Sequence, residues 1–533
     1  RVFINELVCE GCGDCSRESN CLSVVPVETE FGRKRAIDQS SCNKDFSCLK
    51  GVCPSFVTIE GGQLRKGRAQ TISHAHFPLP PQPALPATTR PWSILVTGVG
   101  GTGVVTIGAL VGMAAHLDGR GISVLDMTGL AQKFGAVYSH LRIADKPEDL
   151  HAVRIATGEA DAIIGGDLIV SAGSEALAKM LAGHTRAVIN CTASPTAEFT
   201  RDPDWTAPTE KLRAQVSETL GHTEAAPSAW FLDAQLIATR LMGDAVFANL
   251  FLLGFAWQKS LVPVSHDAMM RAIEMNGVAV DDNKKAFLWG RRAAVNLAEV
   301  LRIATPGVDH CGADGHRFSK SLDDVIARRV DFLTGYQDAS YAERYRSLVE
   351  QVRQTEASYG SSRIADAVAR QYFRLLAIKD EYEVARLHTA PEFQQEIGER
   401  FEGDFKLHFH FAPPLWAKAD PATGKIAKTS YGPWMFTALR LLAKLKGLRG
   451  TSLDLFALSE ERKLERALIG EYEADVIAIV KRLQGGAASP ETLAAAQRLA
   501  DWPAGVRGFG YIRRHSVDAV RQQTPGWRDA LQI

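Results

Sequence analysis

Residues 9–15 read Cys9-Glu-Gly-Cys12-Gly-Asp-Cys15, and a fourth cysteine, Cys53, is followed directly by proline. Three cysteines spaced by two residues each, with a remote Cys-Pro, match the spacing of the thiolates that hold an iron–sulfur cube. Seven of the nine cysteines lie within the first 53 residues. The stretch predicts a small cluster-binding domain over residues 1–62, in which short strands at 1–8 and 55–59 flank the ligand loops, and it predicts that the chain moves electrons.

A second motif, Cys42-Asn-Lys-Asp45-Phe-Ser-Cys48, repeats this spacing with aspartate in the middle position. In two-cluster ferredoxins each motif lends its fourth ligand to the other cluster. We therefore predict two sets of metal ligands, the first being Cys9, Cys12, Cys15 and Cys53 and the second being Cys21, Cys42, Cys48 and Asp45.

Because of this aspartate, the sequence does not decide which cluster the second site holds. A carboxylate is a harder ligand than a thiolate, so this site could hold a four-iron cube, hold a three-iron cluster or stay empty. In the last case the Asp45 side chain caps a turn by accepting backbone N–H bonds. A zinc site or a disulfide framework fits less well, because zinc motifs usually carry two ligand pairs at wider separation and such frameworks belong to small secreted chains.

Composition describes a large chain of 533 residues with 46% hydrophobic residues and zero formal net charge. The charge balance gives no electrostatic argument for nucleic acid or an anionic membrane as the partner. No apolar run reaches the length of a bilayer span and no secretory signal precedes the cysteines, so we expect a cytoplasmic protein. The chain begins with Arg1, which indicates a processed subunit or the downstream part of a longer polypeptide.

A proline-rich segment, 63–91, has no periodic apolar face and is predicted to be an extended, semi-rigid linker. After it, an apolar strand enters a glycine turn, Gly98-Val-Gly100-Gly101-Thr-Gly103, and then a helical pattern. Strands are predicted at 121–126, 162–164, 167–170 and 186–190. We predict a Rossmann-like α/β domain over 92–300 with a mainly parallel sheet.

The glycine turn has three interpretations. It could bind nicotinamide or flavin, with Asp126 at the end of the next strand near the ribose. It could bind another anion, such as coenzyme A or a pyrophosphate, at the helix N-terminus. It could also serve only the packing of strand against helix.

Residues 301–533 are predicted to form a mostly helical C-terminal domain, with amphipathic helices at 321–334, 340–354, 364–387, 433–446 and 460–483. The charged run 379–386 is typical of a solvated helix face, and an interface or site role is the alternative. His408 and His410 would share one face of a strand, and no carboxylate motif beside them indicates a metal site.

These motifs together resemble the indolepyruvate ferredoxin oxidoreductases, the long fused bacterial form of the 2-oxoacid:ferredoxin oxidoreductase family. The resemblance covers nearly the whole chain. It is carried by the cysteine segment 9–56, by the glycine turn, and by the stretches 129–140, 249–258, 272–277, 379–387, 449–451 and 507–510.

The resemblance implies an α/β multidomain chain with a ferredoxin-like iron–sulfur domain, a gamma-type Rossmann-like domain and the helical domain. It implies oxidative decarboxylation of a 2-oxoacid to acyl-coenzyme A and carbon dioxide, with electrons passing through [4Fe–4S] clusters to ferredoxin. The glycine turn (Gly98, Gly100, Gly101 and Gly103) and a loop containing Gln132 and Lys133 become candidates for binding an anionic ligand.

The metal–diphosphate motif of thiamine diphosphate enzymes is missing from the sequence, because Gly165-Gly-Asp167 lacks both the following glycine and the paired asparagines. Thiamine diphosphate and Mg²⁺ are therefore expected on a partner half or subunit, within an oligomer. Two rival hypotheses are an NAD(P)H-linked iron–sulfur reductase subunit and a non-catalytic electron-transfer scaffold.

Overall fold

The structure, a computed structural model, describes residues 1–65, 78–101, 103–129, 135–192, 197–304, 318–412, 428–486 and 488–533. Two compact units are distinguished by their internal contacts. The first comprises Arg1–Ile37, Asn43–Gln63 and Cys311–Ile533, and the second comprises Asp38–Cys42 and Leu64–His310. The domain boundaries at 62, 91 and 300 stay a prediction.

The helices and strands follow in chain order. Residues 1–65 hold β1 (Val2–Ile4), α1 (Asp14–Ser19), β2 (Val24–Thr29), β3 (Gly32–Ile37), β4 (Phe56–Glu60) and β5 (Gln63–Leu64). Residues 78–304 hold β6 (Trp92–Val99), α2 (Val104–Leu117), β7 (Gly121–Thr128), β8 (Ala136–Ala144), β9 (Ala162–Gly165), α3 (Leu168–Ser171), α4 (Ser174–Leu177), β10 (Arg186–Asn190), α5 (Ala197–Arg201), α6 (Thr209–Leu220), β11 (Ala229–Leu232), α7 (Ala234–Met242), α8 (Ala248–Gln258), α9 (His266–Asn276), α10 (Val280–Val295) and α11 (Leu297–Ala304). Residues 318–533 hold α12 (Leu322–Tyr336), α13 (Ala339–Ala357), α14 (Arg363–Leu376), α15 (Glu381–His388), α16 (Pro391–Arg400), β12 (Phe401–Glu402), β13 (Lys406–Phe411), β14 (Thr429–Tyr431), α17 (Trp434–Lys444), α18 (Glu460–Gln484), α19 (Pro490–Ala500) and α20 (Gly510–Leu531).

The second unit is built on a six-stranded sheet in the order β11-β10-β9-β6-β8-β7. Strands β11, β10, β9 and β6 run parallel, whereas β8 is antiparallel to both of its neighbours. The parallel strands are apolar and almost fully buried, as expected where helices cover both faces of a sheet. The predicted α/β domain with a mainly parallel sheet is confirmed.

One predicted strand in this unit is wrong. Residues 167–170 do not continue the sheet, because Leu168–Ser171 forms the helix α3. The Asp167 side chain accepts a hydrogen bond from the backbone N–H of Val170 at 2.9 Å and so caps the N-terminus of this helix. An apolar run of four residues fits a short buried helix as well as a strand, and the capping aspartate decides between the two.

Helices α8 and α10 pack against each other through two glycines, Gly254 and Gly290. A Cβ at Gly254 would lie 2.0 Å from the backbone oxygen of Phe287, and one at Gly290 would lie 1.9 Å from that of Phe251. Real side chains do not tolerate such contacts with backbone atoms, so only glycine permits this close approach.

The first unit joins the N-terminal segment to the C-terminal part of the chain. Its four-stranded sheet has the order β1-β4-β13-β14, with every pair antiparallel. The strands predicted near 1–8 and 55–59 are therefore present as β1 and β4, and the partner of β4 comes from residues 406–411. Helices dominate the remainder of residues 318–533, in agreement with the predicted helical content.

The helix predicted over 364–387 is wrong in its extent. Helix α14 ends at Leu376, and α15 begins at Glu381 with Asp380 as its N-cap. The predicted solvated face over 379–386 is also wrong, because Lys379, Asp380 and Glu383 are all buried. These charges are paired instead: Arg449 bonds both carboxylate oxygens of Asp380, at 2.6 and 2.9 Å.

The described part of the proline-rich segment, 78–91, contains no helix or strand and is held against the second unit. The Arg291 guanidinium donates to the Pro80 carbonyl at 2.9 Å. Among the described residues, no helix is both long enough and apolar enough to span a bilayer.

Candidate functional site

The first cysteine set lies on two loops of the first unit. Cys9 and Cys12 precede α1, Cys15 lies within it, and Cys53 precedes β4. Cys9, Cys15 and Cys53 are buried and Cys12 is half-buried. Burial raises the pKa of Cys15 and Cys53, and in both cases the neighbouring thiols Cys9 and Cys12 raise it further. The thiols of the two loops therefore interact electrostatically.

The cysteine loops are fixed by hydrogen bonds to their backbone and sulfur atoms. The N–H of Gly11 donates to Cys9 Sγ at 3.4 Å, and Cys53 Sγ lies 2.9 Å from the Ser55 hydroxyl. Asp14, at the start of α1, accepts a hydrogen bond from the backbone N–H of Val52 at 3.2 Å. This bond ties the first loop to the loop that carries Cys53.

Two lysines place positive charge beside the ligand loops. Lys34 Nζ donates to the Cys9 carbonyl at 2.7 Å, and Lys428 Nζ donates to the Cys53 carbonyl at 2.9 Å. Burial lowers the pKa of both lysines, while the thiols of Cys9 and Cys53 oppose that shift. The thiolates of a cluster would therefore lie near the positive charges of Lys34 and Lys428.

The first set fits a four-iron cube. Burial raises the pKa of the Cys12 thiol to about 11, so a thiolate there is unfavourable unless a cation compensates for its charge. The irons of a cube supply that positive charge, and four cysteines supply one thiolate per iron. Within the described ranges, no group of three or more His, Cys, Asp or Glu side chains is arranged to hold a single metal ion.

The second set is more exposed to solvent than the first. Cys48 is buried, while Cys21 and Cys42 are half-buried. The exposed Asp45 carboxylate accepts hydrogen bonds from the backbone N–H and the hydroxyl of Ser47, at 3.0 and 2.7 Å. The bond from the backbone N–H is the one expected if the Asp45 side chain caps a turn. The role of Asp45 as an iron ligand stays a prediction.

The glycine turn joins β6 to α2. Gly98 lies opposite Val137 in the strand ladder, one residue before its end, and the N–H of Gly100 donates to the Gly135 carbonyl at 2.8 Å. Gly101 and Gly103 have φ values of +93° and +87°, a conformation that favours glycine. Gly103 begins α2 without a side-chain cap, and a Cβ there would lie 2.3 Å from the amide nitrogen of Asn249.

The sheet order bears on the nicotinamide interpretation. In a dinucleotide-binding fold the second strand carries the ribose carboxylate beside the glycine turn. Here the antiparallel strand β8 separates β6 from β7, which carries the exposed Asp126. Asp126 is thus one strand further from the turn than that interpretation expects. Gln132 and Lys133 lie outside the described residues.

His140, in the 129–140 stretch, is buried in strand β8. Its Nδ1 accepts a hydrogen bond from the backbone N–H of Ile155 at 3.2 Å. Burial lowers the pKa of His140 to about 4, assisted by the cations Arg154 and Lys179 and opposed by Glu175. The ring is therefore neutral at physiological pH.

The two histidines His408 and His410 contact residues of the neighbouring strand β4. His408 Nε2 lies 2.9 Å from a carboxylate oxygen of Glu60, and His410 Nε2 lies 3.1 Å from the Thr58 hydroxyl. Both contacts join β13 to β4.

Sequence reasoning missed His388, the last residue of α15 and fully buried. Its Nε2 donates to the Pro54 carbonyl at 2.9 Å, so that Nδ1 of the neutral ring accepts from the Asn5 side-chain amide at 3.3 Å. The backbone N–H of Cys9 in turn donates to the Asn5 carbonyl at 3.0 Å. The sequence carries no signal for this residue, because its partners lie more than 300 positions away.

Two family models match the chain. Residues 93–293 match the family described as pyruvate ferredoxin/flavodoxin oxidoreductase, and residues 322–525 match a family of unknown function, DUF6537. The α/β domain is therefore similar to that family over residues 93–293.

The curated relatives that the chain matches include indolepyruvate oxidoreductase subunits. The chain is 27% identical over 212 residues to the indolepyruvate oxidoreductase subunit IorB of Pyrococcus horikoshii, and 26% identical over 212 residues to that of Thermococcus kodakarensis. Each alignment covers 39% of this chain and 98% of the relative. The resemblance to the indolepyruvate ferredoxin oxidoreductases is thereby confirmed, over that share of the chain.

Solved structures give weaker likenesses. A keto/oxoacid ferredoxin oxidoreductase gamma subunit from Geobacter sulfurreducens shows 20% identity and a TM-score of 0.27, covering 38% of this chain and 98% of its own. A 2-oxoglutarate:ferredoxin oxidoreductase from Magnetococcus marinus shows 14% identity and a TM-score of 0.29, covering 46% of this chain and 37% of its own. At these TM-scores the likeness supports no conclusion about function.

Proposed function

We propose that the chain is the electron-transfer and gamma-domain portion of a thiamine diphosphate-dependent 2-oxoacid:ferredoxin oxidoreductase. The substrate would be indolepyruvate or another aryl pyruvate, in keeping with the names of the curated relatives. The overall reaction takes a 2-oxoacid anion, coenzyme A and two oxidised one-electron acceptors to acyl-coenzyme A, carbon dioxide, one proton and two reduced acceptors. The observation that supports the proposal is that four cysteines lie buried or half-buried on two loops that the hydrogen bond between Val52 and Asp14 joins.

Thiamine diphosphate and Mg²⁺, held by a partner half, would supply the carbon chemistry, and [4Fe–4S] clusters would supply one-electron carriers. The residues of this chain have three tasks. Cys9, Cys12, Cys15 and Cys53 would hold the first cluster, and the second set, including Asp45, is proposed for the second. Burial would exclude water, and Lys34 and Lys428 would place fixed positive charge beside the electrons.

The glycine turn is proposed to bind the phosphates of coenzyme A. Two observations support this assignment. The N-cap of helix α2 is Gly103, which has no side chain to cap the first N–H groups of the helix. Strand β8 also separates the turn from the carboxylate that a nicotinamide ribose would need.

Mixing experiments separate the proposal from the NAD(P)H-linked reductase alternative. The anaerobically purified chain is oxidised and then mixed either with reduced ferredoxin or with NADH and NADPH, while the visible absorbance of the clusters is followed. We expect bleaching with ferredoxin and none with the nicotinamides. Bleaching by NAD(P)H alone would establish the reductase alternative, and a chain that exchanges electrons with neither would contradict the proposal.

A further inference from the structure

The region of unknown function, 322–525, surrounds the loop that ends in Cys53. Lys428 donates to the Cys53 carbonyl, and its ammonium also lies 4.9 Å from the centre of the Phe56 ring. His388 donates to the carbonyl of Pro54, the next residue. Two consecutive carbonyls of the loop therefore have their partners in this region.

The same region contacts the loop that carries Cys9 and Cys12. Arg374 donates to the Glu10 carbonyl at 3.4 Å, and Arg513 reaches the Glu10 carboxylate at 3.3 Å. Gly508 packs so closely that a Cβ there would lie 3.3 Å from Cβ of Cys12. A side chain at position 508 would press on the cysteine itself.

Two cations from this region, Lys428 and Arg374, bond backbone carbonyls of the ligand loops. Arg513 is a third cation, but it pairs with the carboxylate of Glu10 and with that of Glu465 from the same region, so its charge is offset. Reduction of an iron–sulfur cluster adds a negative charge, and the potential responds to nearby charge, hydrogen bonds and burial. A fixed cation therefore favours the reduced state and raises the reduction potential.

We propose that residues 322–525 form the outer shell of the first iron–sulfur cluster, in which His388 and Arg374 hold the two ligand loops and Lys428 raises the cluster's reduction potential. This inference rests on the proposed function, since it requires a cluster on Cys9, Cys12, Cys15 and Cys53. It gives the region of unknown function a task within that proposal, through side chains that act on the ligands rather than as ligands.

The test is an anaerobic redox titration of the full chain followed by EPR, with the signal lost in Cys15→Ala assigned to the first cluster. Lys428→Gln keeps a hydrogen-bond donor and removes the charge, whereas Lys428→Arg keeps both. The matched control is Lys446→Gln, because the Lys446 ammonium also donates to a backbone carbonyl, that of Gly335, at 2.6 Å.

We expect Lys428→Gln to shift the midpoint potential of the first cluster to a more negative value, and we expect Lys428→Arg and Lys446→Gln to leave it near that of the parent. An unchanged potential in Lys428→Gln, with iron content equal to the parent, would overturn the inference and leave the proposed function standing. Absence of iron from the parent itself would overturn the proposed function. If Lys428→Gln does not fold, Lys428→Met takes its place, because it removes the same charge at a similar side-chain length, and an unchanged potential there has the same meaning.

Discussion

Replacing His388 by phenylalanine isolates the hydrogen bonds that hold the cysteine loops. The ring lies among Phe393, Phe409 and Phe411, with centroids 5.4–5.6 Å away, so a phenylalanine keeps the aromatic packing. What is lost is the donor to the Pro54 carbonyl and the acceptor for the Asn5 amide.

The loss of stability in His388→Phe depends on whether the Pro54 carbonyl and the Asn5 amide keep other hydrogen-bond partners. The Pro54 carbonyl loses this buried donor, a loss that costs about 1–3 kcal/mol when the group stays unpaired. Asn5 keeps its bond to the Leu387 carbonyl at 3.1 Å, so the second loss amounts to about 1 kcal/mol. We expect His388→Phe to lower the free energy of unfolding of the first unit by about 2–4 kcal/mol.

The assay is anaerobic urea unfolding, in which the two compact units are expected to give separate transitions. The control is His408→Phe in the same unit, because His408 pairs with the largely exposed Glu60 and such pairs contribute about 0–1 kcal/mol. If His388→Phe shifts the transition no more than His408→Phe does, the assignment of His388 as the bridge between the loops is refuted.

Three further predictions concern the second unit, and one of them has its control, Gly470, in the first unit. Gly254→Ala should destabilise the α/β unit by more than about 2 kcal/mol in thermal unfolding, since its Cβ meets backbone, whereas Gly470→Ala, in an open position of α18, should be neutral or stabilise by up to about 1 kcal/mol. Equal effects would contradict the close helix packing. Gly101→Ala and Gly183→Ala both place alanine at a positive φ with open space around the Cβ, so we expect similar small losses of stability. Only Gly101→Ala should weaken coenzyme A binding in calorimetry, and unchanged affinity would remove the turn from the binding site. The lowered pKa of His140, about 4, is below its usual 6.5, so its contribution to stability is fully present above pH 6.5 and is lost as pH falls towards 4, by about 3 kcal/mol in total. His140→Gln should flatten this part of the stability profile, and a slope equal to that of the parent would contradict the assignment.

Local patterns predicted the parts of the fold that depend on local chemistry. The glycine turn is present between a strand and a helix because Gly101 and Gly103 take positive φ values that other residues rarely adopt. Helix α18 spans Glu460–Gln484, close to the predicted range, because its apolar residues repeat with helical spacing.

Contacts between residues that are distant in sequence determine the features that local patterns did not predict. The 379–386 run has the composition of a solvated face, yet it is buried because Arg449 pairs with Asp380 from 69 positions away. The shell around the cysteines was equally out of reach of the sequence. Lys428 and His388 lie more than 300 positions from the carbonyls they bind, and no local pattern encodes such contacts.

The measurement that tests the account most directly is the iron and acid-labile sulfide content of the anaerobically purified chain, combined with EPR, for the parent and for Asp45→Cys. About four irons per chain, with a reduced cubane signal, establish the first cluster, and about eight establish the second. We predict at least four, with Asp45→Cys leaving the first signal in place. A chain that holds zinc and no iron would contradict the central claim that these cysteines carry electrons.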